Sequence, residues 1–165
     1  MNTSPMLRIG NGFDVHAFAE GRKLILATLE IPHSRGLEGY SDADVLLHAL
    51  TDAVLGALAW GDIGRWFPDT APENKDIKSE VIFSKVWQKA QAEGWSLVNA
   101  DSVIMAEEPK LFPYIDKMRI ELARMFCCEL EQIGLKATTT ERLGFVGRRE
   151  GMAASSVVLL SKAVQ

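Results

Sequence analysis

Residues 45–58 are apolar at nearly every position, a pattern typical of a helix buried on more than one face. Asp44, His48 and Asp52 interrupt or flank this segment at intervals of four, so all three lie on one stripe of the helix. Burying a polar group without a partner costs roughly 2–7 kcal/mol. A metal ion bound to one ring nitrogen of His48, with a carboxylate orienting the other nitrogen, would give this buried histidine the partners that it needs. A hydrogen-bonded core histidine would satisfy it equally, and both interpretations remain open at this point.

This helix is predicted from about Ser41 to Trp60, because Ser41 and Asp44 resemble a capping box with a shortened acid. Gly61 and Gly64 then indicate a tight turn. The following segment, residues 65–78, is polar and rich in proline and aspartate. Its length and polarity favour a lid over a bound substrate rather than a passive connector.

The remaining elements follow from periodicity and from glycine or proline at their ends. Strands are predicted over 7–16, 22–31, 95–106, 133–140 and 152–162, and helices over 79–93 and from near Pro113 to about Cys127. His33, beside Pro32, is predicted to be exposed and structural. Strands and helices alternate without a linker or repeat, which predicts one α/β (α+β) domain over residues 1–165 with a mixed β-sheet.

Composition excludes several classes of protein. The 165 residues carry 18 Lys and Arg against 22 Asp and Glu, a net charge of −4 that disfavours nucleic-acid binding. No apolar run reaches the roughly 18 residues that span a bilayer, and the first residues lack a signal peptide. Cys127 and Cys128 are adjacent and have no partner motif, so neither a disulfide framework nor a cysteine zinc site is indicated. We expect a reducing, cytoplasmic location.

Asp14 and His16 lie two residues apart in a predicted strand, so they project from one face. Alone, this pair is a weak signal. With His48 it forms an oxygen–nitrogen–nitrogen ligand set, which leaves the fourth position of a catalytic zinc site open. Residues 138–149 add hydroxyls, a carboxylate and three arginines, groups suited to binding phosphates. The residues by themselves indicate metal-dependent phosphate chemistry and go no further.

The combined motifs resemble the 2-C-methyl-D-erythritol 2,4-cyclodiphosphate synthase family over essentially the whole chain. The similarity rests on these segments: Arg8-Ile-Gly-Asn-Gly-Phe-Asp14-Val-His16, Ser41-Asp-Ala-Asp-Val-Leu-Leu-His48, Gly61-Asp-Ile-Gly64, Phe67-Pro-Asp-Thr70, Pro109-Lys110, Lys136-Ala-Thr-Thr-Thr-Glu141-Arg-Leu-Gly-Phe-Val-Gly-Arg148 and Glu150-Gly151. Several independent motifs in the family's order make coincidence a poor explanation.

The resemblance implies a homotrimer with active sites between neighbouring subunits, each a sheet backed by helices on one face. It implies a phosphorus–oxygen lyase of the non-mevalonate route of isoprenoid biosynthesis. The reaction converts 4-diphosphocytidyl-2-C-methyl-D-erythritol 2-phosphate into 2-C-methyl-D-erythritol 2,4-cyclodiphosphate and CMP. The partner is therefore a cytidine diphosphate-linked small molecule, with neither nucleic acid nor membrane involved.

Site residues are carried over position by position. The resemblance assigns one Zn²⁺ to Asp14, His16 and His48, and a second cation, Mg²⁺ or Mn²⁺, to Glu141. Thr139, Tyr40 and Glu141 are the implied catalytic residues. Phe13, Arg148 and Glu150 are the implied lining of a central channel, whose candidate ligand is an isoprenoid diphosphate. The implied substrate-binding residues are Asp14, His16, Tyr40, Ser41, Asp62, Ile63, Gly64, Phe67, Pro68, Asp69, Thr70, Ala71, Ala106, Pro109, Lys110, Leu111, Phe112, Ala137, Thr138, Thr139, Thr140, Phe145 and Arg148.

The chain departs from the family pattern in three places. Tyr40 stands where the family usually has histidine, and a tyrosine carries no positive charge near neutral pH. Glu107 and Glu108 place acids beside the implied nucleotide pocket, where they would repel a diphosphate unless they point outward. Residues 25–29, Ile-Leu-Ala-Thr-Leu, lack the family's paired glycines. The first departure predicts a genuine but slow synthase.

Two other functions remain as alternatives. A non-catalytic trimeric binder of nucleotides or isoprenoid diphosphates would explain Tyr40 and the two glutamates, but not the complete ligand set. A general metal-dependent phosphohydrolase would explain the metal ligands, but not the nucleotide-pocket or channel positions. The nature of the product of a turnover assay separates all three.

Overall fold

The computed structural model describes residues 4–163. The strands are β1 (Met6–Glu20), β2 (Leu24–Leu26), β3 (Leu29–Ile31), β4 (Arg35–Leu37), β5 (Trp95–Met105), β6 (Ile133–Thr138) and β7 (Gly151–Lys162). The α-helices are α1 (Val45–Ala57), α2 (Ile63–Trp66), α3 (Ser79–Ala92), α4 (Ile115–Phe126) and α5 (Gly144–Gly147). Short 3₁₀ turns span Pro72–Asn74, Phe112–Tyr114 and Leu130–Gln132.

Five strands form a mixed sheet in the order β4-β1-β7-β5-β6, and β2 pairs with β3 in a separate hairpin. Only β5 and β6 run parallel among the described strands; β1 pairs with β4 and β7, and β5 with β7, antiparallel. The predicted α/β (α+β) class and mixed sheet are confirmed. The predicted domain extends over residues 1–165, of which 1–3 and 164–165 lie outside the described residues.

Helix α1 packs directly on β1 because β1 lacks side chains where they meet. A Cβ added to Gly10 would lie 2.0 Å from the Ala53 carbonyl oxygen, and one added to Gly12 would lie 2.0 Å from that of Ala49. Neither position can therefore hold a side chain without moving the helix. Around this contact the core is formed by the fully buried apolar residues of α1 together with those of α3, α4 and the inner faces of β5 and β7.

The opposite face of the sheet is apolar and uncovered in a single chain. Side chains alternate along β1, so Leu7, Ile9, Phe13 and Val15 point away from α1, with exposed fractions of 52%, 71%, 58% and 44%. Val157 of β7, paired with Asn11, adds to this face and is 41% exposed. We call these five apolar residues the outer sheet face. These exposed apolar side chains surround the polar Asn11, and large exposed apolar groups of this kind indicate an interaction surface.

Three predicted elements differ in the structure. The strand predicted over 22–31 is a hairpin, because Ala27 and Thr28 adopt left-handed conformations with φ of 47° and 68°. The helix predicted from Ser41 begins at Val45, with the Asp44 carboxylate capping the Leu47 N–H. His33 is not exposed: its side chain is 14% exposed and its ring packs against Phe18.

The other predicted strands and helices agree within a few residues. The strand expected to reach residue 140 ends at Thr138, and a short helix, α5, lies within the segment expected to be a loop. Among residues 4–163, none of the helices combines the length and apolar character of a membrane-spanning segment.

Candidate active site

Asp14, His16 and His48 converge where β1 crosses α1. Asp14 and His16 continue the row of Gly10 and Gly12, so their side chains face the helix, and His48 on α1 meets them there. Asp14 Oδ2 lies 2.8 Å from His16 Nε2 and 2.9 Å from His48 Nδ1. The two ring nitrogens are 3.0 Å apart. All three side chains are mostly buried, with exposed fractions of 26%, 16% and 12%.

The hydrogen-bond partners of the two imidazole rings leave one nitrogen of each ring available to bind a metal ion together with Asp14. His16 Nδ1 lies 2.6 Å from the Glu38 carbonyl oxygen, an acceptor, so Nδ1 carries the proton and Nε2 presents its lone pair to Asp14. His48 Nε2 faces two hydroxyls, so its Nδ1 likewise faces Asp14. Electron-pair donors that approach this closely require a positive charge between them. One oxygen and two nitrogens are the ligand types of a catalytic zinc site.

Ionisation at the site is consistent with that positive charge. Burial would raise the pKa of the Asp14 carboxyl, but its hydrogen bonds and charge interactions with both histidines hold that pKa well below its usual range. Burial would lower the pKa of His16, but the Asp14 carboxylate, 2.8 Å from Nε2, raises that pKa above its usual value because it stabilises a proton there as it would another cation. Asp14 is therefore a carboxylate at neutral pH, and its surroundings favour a cation.

The carboxylates of the two acids on the helix stripe bind main-chain N–H groups instead of the His48 ring, although the Asp44 carbonyl accepts the His48 N–H at 3.0 Å. Asp44 is fully buried and accepts the N–H groups of Leu47 and Thr28 at 3.1 and 2.9 Å, and burial raises its pKa to about 6. Asp52 accepts the Ile63 N–H at 2.8 Å. The expectation of a carboxylate directly on the second ring nitrogen is therefore wrong. Hydroxyl groups occupy that position.

A hollow of about 180 Å³ is lined in part by His16 and His48. The residues implied for substrate binding that line it are His16, Tyr40, Ser41, Ile63, Phe67 and Asp69, and Asn74, Ile77 and Ile82 complete its wall. Other predicted residues flank it: Asp62 caps α2 through the Arg65 N–H at 2.9 Å, and Pro68 accepts a hydrogen bond from Asn74. Gly64, Thr70 and Ala71 belong to α2 and the loop that follows.

A larger cavity of about 560 Å³ lies at the β5–β6 edge of the sheet. It contains the residues predicted for the cytidine diphosphate pocket, namely Ala106, Pro109, Lys110, Leu111, Phe112, Ala137, Thr138 and Thr139. Glu107, Ile115, Leu135 and Lys136 complete its wall. The two cavities share no lining residue, and β7 separates the strands that carry them.

Neither glutamate of this segment is a free charge in the cavity. Glu107 Oε1 accepts the N–H groups of Thr140 and Arg142 at 2.9 and 3.2 Å, and these bonds lower the pKa of the Glu107 carboxyl. Glu108 pairs with Arg35 and Arg149 at 3.0 and 3.2 Å. Donors close to the carboxylates therefore offset their repulsion of a diphosphate.

The turn after β6 carries Thr139 and Glu141. Glu141 is exposed and lies apart from the Asp14–His16–His48 cluster; its Oε1 accepts a hydrogen bond from the Thr139 hydroxyl at 3.3 Å. Thr140 and Phe145 line a third hollow, of about 400 Å³, together with Phe13. Arg148 and Glu150 form a two-bond ion pair at 2.9 and 3.1 Å.

Several residues of the site were not predicted from the sequence. Asn74 and Ile77 line the smaller hollow from the 67–78 loop and Ile82 lines it from α3, and no motif signals these contacts. Ser79 contacts His48, although the two residues are 31 positions apart in the sequence. Its place at the start of a predicted helix was visible in the sequence, but its partner was not.

Comparisons with known proteins agree with this geometry. The sequence model described as the YgbB family matches residues 7–161. The 2-C-methyl-D-erythritol 2,4-cyclodiphosphate synthase of Geobacillus kaustophilus is 57% identical over 157 residues, which are 95% of this chain and 99% of that protein.

Solved structures are similar over nearly the same range. The bifunctional IspDF from Campylobacter jejuni superposes with a TM-score of 0.92 at 44% identity, covering 96% of this chain and 43% of that one. A CDP-bound 2C-methyl-D-erythritol-2,4-cyclodiphosphate synthase has a TM-score of 0.85 at 39% identity, covering 93% and 99%. The resemblance inferred from the motifs is confirmed: the chain belongs to the YgbB family, the family of the 2-C-methyl-D-erythritol 2,4-cyclodiphosphate synthases.

Proposed function

We propose that this protein converts 4-diphosphocytidyl-2-C-methyl-D-erythritol 2-phosphate into 2-C-methyl-D-erythritol 2,4-cyclodiphosphate and CMP, as a lyase of the non-mevalonate isoprenoid pathway. The observation that carries the proposal is the convergence of Asp14, His16 and His48 on one point beside a hollow. We take residues 1–165 as one synthase domain and place the reaction in the cytoplasm.

In this reaction an oxygen of the substrate's 2-phosphate attacks the β-phosphorus. The new bond closes the ring, and the bond from the β-phosphorus to the bridging oxygen breaks, so CMP leaves with that oxygen. The substrate supplies both nucleophile and leaving group. The protein has to hold the chain in a folded, in-line geometry, where proximity and orientation are worth about 7–11 kcal/mol.

Asp14, His16 and His48 would hold a zinc ion, and the exposed Glu141 carboxylate would hold Mg²⁺ or Mn²⁺ together with the substrate diphosphate, as magnesium sites commonly do. When bound, these ions neutralise charge on the phosphoryl oxygens and act as Lewis acids. The Tyr40 and Thr139 hydroxyls donate hydrogen bonds to phosphoryl oxygens as charge develops on them. No general base is required.

Substrate recognition divides between the two cavities. In our proposal the erythritol hydroxyls bind near Asp62 and Gly64 under the loop that contains Phe67, and the cytidine diphosphate moiety occupies the cavity of about 560 Å³. Lys110 at its rim supplies a cation for the diphosphate. The CDP bound to a structural relative supports this assignment.

We propose a homotrimer with its active sites between subunits, supported by two features of a single chain. The outer sheet face leaves large apolar residues exposed. The proposed metal ligands lie on β1 and α1, and the larger cavity lies at the β6 edge with β7 between them, so a neighbouring copy can bring one against the other. In an oligomer with closed symmetry, such a face is buried in every subunit. Phe13, Arg148 and Glu150 then line a central channel with apolar and charged contacts suited to an isoprenoid diphosphate.

The test is turnover of the diphosphocytidyl substrate with zinc and magnesium, followed by phosphorus NMR of the product. A cyclic diphosphate signal together with CMP is the expected result. CMP with an open-chain phosphate would identify a phosphohydrolase instead. Tight substrate binding without CMP would identify a binding protein.

Replacing Tyr40 tests the departure from the family pattern. Tyr40→Phe removes a hydrogen bond to a charged phosphate, worth about 1.5–3 kcal/mol, so we expect kcat to fall about tenfold or more. Tyr40→His adds an imidazole that can be cationic, and we expect kcat to rise several-fold above that of the unaltered protein. Equal turnover in all three proteins would exclude a catalytic role for residue 40.

Replacing Glu107 tests the turn that carries Glu141. Glu141 and Arg142 both adopt left-handed conformations, with φ of 53° and 65°, and Glu107 holds the turn through its bonds to Thr140 and Arg142. We expect Glu107→Ala to raise the magnesium concentration for half-maximal activity about tenfold, because Glu107 would no longer hold the turn that positions Glu141.

Two matched variants accompany this measurement. Glu107→Gln keeps an acceptor oxygen and is expected to retain most of the affinity for magnesium. Glu108→Ala removes the adjacent acid, which pairs with Arg35 and Arg149 instead. A similar loss in both alanine variants would mean that local charge, not the turn, sets magnesium affinity.

A further inference from the structure

The outer side of His48 is held by two buried serines. His48 Nε2 lies 3.1 Å from Ser41 Oγ and 2.9 Å from Ser79 Oγ. Ser79 is fully buried and Ser41 is 6% exposed. Ser79 is the first residue of α3, whereas His48 lies inside α1, so this contact joins two helices at the metal ligands.

The donors and acceptors of this group can be assigned. Asp42 Oδ1 accepts both the Ser79 hydroxyl and, at 3.0 Å, the Ser79 N–H. The Ser79 hydroxyl proton therefore points to Asp42, and its oxygen is free to accept. Ser41 Oγ accepts the Ala43 N–H at 3.0 Å. Because the Ser79 oxygen can only accept in its contact with His48, Nε2 is the donor there, and Nδ1 is the nitrogen that faces the metal site.

We propose that Asp42 and Ser79 are positioning residues of the metal site, which hold His48 in the Nε2–H tautomer and aim Nδ1 at the metal. The proposal rests on the zinc site of the proposed function. Asp42 fixes the direction of the Ser79 hydroxyl, and Ser79 fixes the imidazole. A carboxylate thus orients the histidine, as the sequence suggested, but through a serine and from outside the stripe of Asp44 and Asp52.

The first test measures zinc affinity by competition with a chelator. Loss of an outer hydrogen-bond partner of a metal ligand costs about 10–100-fold in affinity, and we expect a loss of this size for Ser79→Ala. Ser79→Thr keeps the hydroxyl and is expected to restore most of the affinity. Ser84→Ala, a serine one turn along α3, is the matched control and should bind zinc as the unaltered protein does.

The second test records ¹⁵N chemical shifts of the imidazole in the metal-free protein. The unaltered protein should show a hydrogen on His48 Nε2, whatever proton Nδ1 shares with Asp14 at 2.9 Å, and Asp42→Ala should lower this Nε2–H signal, because the freed Ser79 hydroxyl can then donate to Nε2. This variant also serves if Ser79→Ala does not fold.

The outcomes separate the two proposals. Unchanged zinc affinity in Ser79→Ala, or an unchanged tautomer in Asp42→Ala, would overturn the positioning role. Absence of zinc binding by the unaltered protein would overturn the proposed metal site, and the nitrogen spectrum would still decide whether Asp42 and Ser79 set the tautomer.

Discussion

Replacing His48 with alanine is expected to lower kcat/KM by about a thousandfold or more. The change removes Nδ1, one of the three donor atoms of the cluster; it lies 2.9 Å from Asp14 Oδ2, and His16 Nε2 lies 2.8 Å from the same oxygen. Two protein ligands would remain in a site whose catalytic zinc normally needs three. Electrostatic stabilisation of phosphoryl charge is worth several kcal/mol, and each 1.36 kcal/mol is about tenfold in rate. CMP release and bound zinc, measured on the same sample, test this expectation.

His33→Ala is the matched control, because His33 lies outside the ligand cluster and packs against Phe18. We expect its zinc content to be unchanged and its activity to stay close to that of the unaltered protein. A His48→Ala protein that kept both its zinc and a tenth of its activity would contradict the proposed ligand set.

Replacing Ile9 with aspartate is expected to dissociate the proposed trimer and to remove most of the activity with it. Ile9 is 71% exposed at the middle of the outer sheet face. Burying an isoleucine contributes about 1.5–3 kcal/mol, and burying an unpaired carboxylate costs still more. In a closed trimer the change occurs in every interface at once. Sedimentation velocity should therefore change from a trimer to a monomer, and CMP release should fall about a hundredfold.

Ile120→Asp provides the comparison, since Ile120 is 54% exposed on α4 and lies outside the outer sheet face. We expect this variant to keep its assembly and activity. If the unaltered protein sedimented as a monomer, the trimer would be excluded. If Ile9→Asp sedimented as a trimer, the interface would lie elsewhere.

Local patterns were sufficient to predict most elements and the grouping of Asp14, His16 and His48. The alternation around Asp14 and His16 placed both on one face of β1, and the four-residue spacing placed His48 on the stripe of α1 that meets them. These predictions depend on strand and helix periodicity, which is a property of short segments. The remaining site residues were inferred from the family resemblance.

Predictions failed where the deciding contact is distant in sequence or backbone-specific. Ala27 and Thr28 adopt left-handed conformations that neither residue type indicates, so one predicted strand is a hairpin in the structure. Glu107 looked like an unfavourable charge because its donors, the N–H groups of Thr140 and Arg142, are more than thirty residues away. Ser79 was overlooked for the same reason.

The close approach of α1 to β1 has a consequence for which ions the site accepts. Zinc–nitrogen and zinc–oxygen bonds are about 2.0–2.2 Å long, whereas calcium needs six to eight oxygens at about 2.3–2.6 Å. The backbones that carry Asp14 and His16 on β1 and His48 on α1 are in direct contact at Gly10 and Gly12. Their spacing therefore does not depend on side chains that can rotate aside. Two residues without side chains thereby set the distance between the backbones that carry Asp14, His16 and His48, and in the proposed metal site this would favour a small ion over a large one.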